Sequence, residues 1–130
     1  MSSSSVRKDL SRSVTAADVD AAAERLIGVA RRTPLERCER LSDASGAEVW
    51  LKREDLQPVR SYKLRGAYNL ISQLSDGERA AGVVCASAGN HGQGVALACA
   101  RLGIHGRIFV PSTTPRQKRD RMIALGGEFV

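Results

Sequence analysis

The feature that most restricts the fold is a regular exchange of short apolar runs and helical stripes through the C-terminal half. Ala81 to Ala86 (AGVVCA) is a continuous apolar run, the pattern of a strand buried on both faces of a parallel sheet. Val95, Ala98, Cys99 and Leu102 then recur at helical spacing up to Gly103, which sits at a C-cap position. Arg107 to Val110 reads as another strand. Thr114 is placed as the N-cap and Pro115 as the first residue of a helix running to about Leu125, after which Gly126-Gly127 lead into Glu128-Phe129-Val130, the opening of a further strand. Strands and helices that alternate in this way form βαβ units with right-handed crossovers, so the expected class is α/β, a parallel sheet with covering helices.

The upstream half is less regular. Thr15 and Asp18 have the spacing of a capping box, with Asp in place of the usual Glu, and Val19, Ala22, Ala23, Leu26 and Ala30 predict a helix over 16–31. Thr33-Pro34-Leu35 ends it, because the residue before a proline avoids the helical region, and a loop or short strand follows. Glu48 to Arg53 (EVWLKR) alternates apolar and polar residues, as in a strand with Val49 and Leu51 on one face. Beyond Pro58, the positions Leu64, Ala67, Tyr68, Ile71 and Leu74 predict a second helix that stops at the turn Asp76-Gly77. Trp50 and Phe109 fall on strand patterns and are expected in the core. Met1 to Val14, serine-rich and without periodicity, reads as a mobile N-terminal arm.

Composition narrows the classes. A chain of 130 residues that is 42% hydrophobic and 26% charged has room for about one domain and is neither disordered nor collagen-like. No stretch approaches the ~18 uninterrupted apolar residues that cross a bilayer, and Met1 to Leu10 has no secretory pattern, so a soluble cytoplasmic protein with no membrane partner is expected. Cys38, Cys85 and Cys99 are odd in number and widely spaced in apolar surroundings, which suits reduced core residues better than disulfides. Without a CxxC pair no metal is expected. The net charge of +6 and pI near 9.8 raise a nucleic-acid partner. Against it, the basic residues are spread from Arg7 to Arg121, the one dense group is Arg116, Lys118, Arg119 and Arg121, and aromatics are 4%; a solvated helix face explains them better.

Open α/β sheets place ligands beyond the carboxyl ends of their strands, which directs attention to the loops at 54–63 and 87–94. Lys63 stands at the start of a helical pattern, with Ser61 as the expected N-cap. A lysine in the first turn opposes the helix dipole by roughly 0.3 to 1 kcal/mol, and burial acts in the same direction. Both favour a neutral amine, nucleophilic towards an aldehyde. The competing reading is a surface lysine whose stem packs on the helix. Gly66 weighs against it, since a helical glycine costs ~1 kcal/mol relative to alanine and points to close approach by another group. Ser87 to Gly94 (SAGNHGQG) follows a strand and opens a helix, so its backbone N–H groups suit an anion such as a carboxylate; a tight connection needing only small residues is the alternative. Neither GxGxxG nor GxxxxGK[ST] occurs, which leaves NAD and ATP unsupported. Gly89-Asn90-His91-Gly92 matches the GxxG of KH-type RNA-binding loops at only two fixed positions. His91 and His105 have no nucleophile motif beside them and read as solvated or hydrogen-bonded; Glu54-Asp55 reads as a loop element rather than a catalytic pair.

Taken together, Lys52-Arg53-Glu54-Asp55-Leu56-Gln57-Pro58, Ser61-Tyr62-Lys63-Leu64-Arg65-Gly66-Ala67 and Ala86 to Gly94 resemble the threonine dehydratases (threonine ammonia-lyases) of the biosynthetic type. The resemblance runs from about Thr33 to Val130. The wider group is the fold type II pyridoxal-phosphate enzymes related to the tryptophan-synthase β-subunit; serine dehydratases, serine racemases and threonine synthases share parts of it. The resemblance implies that Lys63 forms a Schiff base with pyridoxal phosphate and then moves the substrate α-proton. It also implies cofactor contacts from Tyr62, at a position usually held by phenylalanine, and from Asn90 to the phenolic oxygen, with Ser87, Ala88, Gly89 and His91 around the substrate carboxylate. The implied reaction converts L-threonine, or alternatively L-serine, with L-threonine giving 2-oxobutanoate and ammonia on the route to isoleucine. In the family, the glycine-rich phosphate loop and the group facing the pyridine nitrogen belong to sequence beyond Val130. The expectation is therefore an N-terminal portion of such an enzyme, incomplete at its C-terminus and inactive alone. Residues 15–79 would open the large cofactor-binding domain and 80–130 the smaller βαβ domain, in a protein that is a homo-oligomer when full length. A basic nucleic-acid-binding module is the reading from another class.

Overall fold

The computed structural model describes residues 13–129, so the arm expected over 1–14 lies outside the described residues except at its last two positions, and so does Val130. In chain order the elements are α1 (Ala16–Arg25), β1 (Leu35–Arg37), α2 (Glu39–Ser45), β2 (Trp50–Lys52), a 3-10 turn (Glu54–Leu56), α3 (Lys63–Ile71), α4 (Asp76–Ala81), β3 (Val83–Ala86), α5 (Asn90–Leu102), β4 (Gly106–Phe109), α6 (Arg116–Ala124) and β5 (Glu128–Phe129).

The parallel sheet forms from β3, β4 and β5 in that spatial order, with Cys85 beside Ile108 and Ile108 beside Phe129. The class is therefore α/β, although β1 and β2 make a separate antiparallel ribbon in which Leu35 lies opposite Lys52. Both crossovers step the same way across the sheet, and right-handed connections that do so put their helices on one face. Ala96 of α5, Ile108 of β4 and Met122 of α6 accordingly form one buried cluster. Among the described residues none covers the opposite face, with Val84 66% and Phe109 41% exposed. This corrects the expectation that residues 81–86 are buried on both sides. It also removes Phe109 from the core, and Trp50 on the small ribbon is exposed as well.

A second layer stacks α3 on α5, where Ala67 and Ile71 meet Val95, Ala98, Cys99 and Ile104. The axes approach closely because Gly94 has no side chain: a Cβ there would lie 3.1 Å from both the carbonyl carbon and oxygen of Lys63. Gly92 does the same towards the sheet, where a Cβ would meet the Ser87 carbonyl oxygen at 2.5 Å. The three cysteines are free, and burial pushes the thiols of Cys85 and Cys99 up in pKa.

Several element ends differ from the sequence expectation. The Thr15–Asp18 capping box forms, with the Asp18 N–H donating to Thr15 Oγ1 at 3.3 Å and the Thr15 N–H to Asp18 Oδ2 at 2.9 Å. Its helix nevertheless stops at Arg25 rather than 31, passing through turns to a left-handed Gly28 with φ 74°. The second helix ends at Ile71, and Ser75 caps α4 through Glu78 where a bare turn was expected. Ser61 and Thr114 are not caps. The N-cap positions are Tyr62 and Pro115, and the hydroxyls of Ser61 and Thr114 are buried without a partner among the described residues. Tyr62 already has helical dihedrals (φ −68°, ψ −12°), which leaves no extended residue for Ser61 to cap from. Gly103 does close α5, with φ 65°. Among the described residues no helix is long and apolar enough to cross a membrane.

Gly94→Ala should lower the unfolding free energy by about 1–3 kcal/mol, because the Lys63 backbone must move to admit the methyl group. Gly66→Ala, where an added Cβ meets nothing within 4 Å, should instead raise it by about 0.5–1 kcal/mol. Urea titrations of the two variants beside the parent protein check both signs.

Candidate active site

The loop leading into α3 alternates between buried and outward residues. Val59 and Leu64 are completely buried and pack with Val29. Ser61 is 6% exposed, whereas Tyr62 is 59% exposed. Lys63, half-buried, carries its Nζ 4.9 Å from the centroid of the Tyr62 ring, a cation–π arrangement. Beside the pair is a cavity of about 360 Å³ whose lining includes Tyr62, Lys63, Gly66, Val83, Cys85 and His91. That volume is in the range of small-molecule sites. Gly66 opens onto this cavity; no protein group crowds it, contrary to the close approach expected from its place in a helix.

The other half of the site is the first turn of α5. The helix starts at Asn90, inside the segment that read as a turn. Ser87 Oγ accepts hydrogen bonds from the N–H groups of Gly89 (3.3 Å) and Gly92 (3.2 Å), taking two of the donors that sequence reasoning offered to an anion. The N–H groups of Asn90 and His91 keep no partner among the described residues. Asn90 is exposed and precedes Gly94 by four residues, so it shares the face that α5 turns to Lys63. Ser87 and Ala88 border a different cleft, with Phe109, Val110 and Pro111, at the carboxyl ends of β3 and β4. The structure thus brings Tyr62, Lys63 and His91 to one cavity, puts Ser87 and Ala88 on a neighbouring one, and leaves Gly89 and Asn90 lining neither. His105 lies elsewhere and pairs with Glu128. No group of three His, Cys, Asp or Glu able to hold a metal occurs among the described residues.

Sequence reasoning missed the electrostatic centre behind α3. The Glu54 carboxylate, 14% exposed, accepts from Arg65 Nε at 2.8 Å, Arg65 Nη2 at 2.9 Å and Thr33 Oγ1 at 2.6 Å. Gln57 joins it, donating to the Arg31 carbonyl at 2.8 Å and accepting the Arg31 N–H at 2.9 Å. The Arg65 guanidinium, ahead of the hydroxyl and amide donors, pulls the Glu54 carboxyl down to about 2.

The family model described as "Pyridoxal-phosphate dependent enzyme" matches residues 26–130. The chain belongs to this family. A curated relative, the biosynthetic L-threonine dehydratase IlvA of Mycobacterium tuberculosis, is 64% identical over 118 residues, covering 91% of this chain and 28% of its own length. Among solved structures, processed threonine deaminase isoform 2 of Solanum lycopersicum is 49% identical with TM-score 0.73, over 87% of this chain and 33% of that one. A pyridoxal 5'-phosphate-dependent aspartate racemase is 36% identical with TM-score 0.82, over 90% and 37%. The chain spans 28% of the length of that curated relative and 30% of the length of its counterpart from Mycobacterium leprae. The pyridoxal-phosphate family membership fits the donor set: one amine on a cavity lined also by Tyr62, His91 and apolar residues such as Ala67, Ile71, Val83 and Val95, open where Gly66 lacks a side chain.

Acid titration gives a test of the Glu54 centre. Because its folded pKa lies below the ordinary 4.5, the stabilisation is fully present above that value and is lost as pH falls towards about 2. The parent should lose about 1–2 kcal/mol more than Glu54→Gln between about pH 5 and 2, after allowance for solvent screening. Urea unfolding across that interval measures the difference.

Proposed function

We propose that this chain carries the lysine and carboxylate-binding elements of a threonine dehydratase, acting on L-threonine to give 2-oxobutanoate and ammonia on the route to isoleucine. The observation that carries the reading is the Lys63 amine on a ligand-sized cavity shared with His91, beside a helix turn with free N–H groups. Lys63 would hold pyridoxal phosphate through its ε-amine, with Tyr62 and Asn90 as further contacts. When bound, that cofactor supplies a conjugated ring that accepts the electron pair left at the substrate α-carbon.

The remaining work falls to the chain's own groups. The ε-amine of Lys63, once released, takes the α-proton as a base. The N–H groups of Asn90 and His91, at the positive end of the α5 dipole, receive the substrate carboxylate, with Ser87, Ala88 and Gly89 shaping the turn that presents them. Ala67, Ile71 and Val95 give the cavity an apolar wall, which would limit water at the reacting carbon. Loss of the β-hydroxyl as water then leaves an enamine that tautomerises and hydrolyses to the keto acid and ammonia. L-Serine satisfies the same lysine and turn, and is the second substrate. In this reading residues 15–79 belong to the large cofactor-binding domain and 80–130 open the smaller one, within a cytoplasmic homo-oligomer.

Borohydride reduction of the full-length protein with pyridoxal phosphate should attach the cofactor to the peptide containing Lys63. Lys63→Ala should abolish both attachment and 2-oxobutanoate formation from L-threonine. Attachment at Lys52 or Lys118 in the parent protein would refute the assignment.

A further inference from the structure

The proposed chemistry uses Lys63 but says nothing of what holds that residue in place. Its helix is clamped from two sides. On one, Gly94 of α5 lies against the Lys63 carbonyl. On the other, Arg65 reaches back eleven residues to grip Glu54 through two parallel hydrogen bonds. That grip closes a loop whose inward residues, Val59, Ser61 and Leu64, are buried, and whose outward residues include Tyr62 and Lys63. The Glu54 end is itself tied down by Thr33, and Gln57 fastens the Arg31 backbone to the start of the same loop. Arg65 also donates to the Arg31 carbonyl at 3.1 Å. Residues two apart on a helix do not face one another, and Arg65 is absent from the lining of the Lys63 cavity. Arg65 therefore makes no direct contact in the cavity, and its mechanical route to the Lys63 amine is the backbone.

We propose that the Glu54–Arg65 pair is a positioning device for Lys63, fixing the loop and first turn of α3 so that the ε-amine is presented to the cavity it shares with His91. The inference rests on the reading that Lys63 carries the cofactor. A two-pronged guanidinium contact fixes direction as well as distance, which a lysine ammonium does not. Arg65→Lys therefore keeps the charge and loses the alignment, and Glu54→Gln keeps the shape and loses the charge.

The experiment uses the full-length protein with pyridoxal phosphate. One aliquot each of parent, Arg65→Lys and Glu54→Gln is reduced with borohydride to count cofactor on Lys63, and a separate, unreduced aliquot is assayed for kcat and KM with L-threonine per cofactor-loaded molecule. Misplacing a reacting group by about 1 Å costs up to about a hundredfold, so kcat should fall at least about tenfold in both variants while KM stays within about twofold. A kcat per loaded molecule equal to the parent's in either variant overturns the proposal, whatever happens to the melting midpoint, as does a change confined to KM. If one variant does not fold, the other decides by the same criterion. Failure of the parent itself to carry cofactor on Lys63 is a separate result, which removes the functional reading and this inference with it.

Discussion

The close crossing of α3 and α5 at Gly94 is the contact on which the rest of the described chain depends. Helix axes usually stay 8–10 Å apart because side chains keep them there. Here a missing side chain lets one helix lean on the main chain of Lys63, and the apolar faces of Ala67, Ile71, Val95, Ala98 and Cys99 close around that point. The consequence is chemical as well as mechanical. The start of one helix, which bears an amine, is brought beside the start of another, which bears unpaired N–H groups. Two helix N-termini converging in this way concentrate positive potential, a setting suited to an anionic ligand.

Charges on this chain differ greatly in weight. Arg53 contacts Glu36 and Asp55 in an exposed arrangement, where water and salt leave little net energy. Glu54, one residue away, is largely withdrawn from solvent and meets three kinds of donor. Adjacent residues thus divide between surface decoration and internal scaffold because the 3-10 turn points them apart.

The parts of the structure legible in the sequence were those decided within a few residues. The Thr15–Asp18 capping box, the Gly103 stop and the alternation that yields β3, α5, β4, α6 and β5 depend on local spacing. What escaped was decided at long range. An apolar run like AGVVCA does not reveal which of its faces a helix will cover, since that follows from strand order. Ser61 and Thr114 have the right residue type for caps, but the backbone enters each helix elsewhere. The Glu54–Arg65 contact joins residues eleven apart through a loop with no periodic signal. Lys63 and His91 stood out as separate motifs; their common cavity appears only once α3 and α5 are packed.

The direction in which the sheet is built has a consequence for growth. A strand added outside β5 through one more right-handed connection would carry its helix to the side that α5 and α6 already occupy. Only a chain that doubles back past β3 could lay a helix over Val84 and Phe109. The margin of β3, which pairs with no further strand among the described residues, is therefore the side on which a right-handed crossover would shelter the second surface of this half-clad layer.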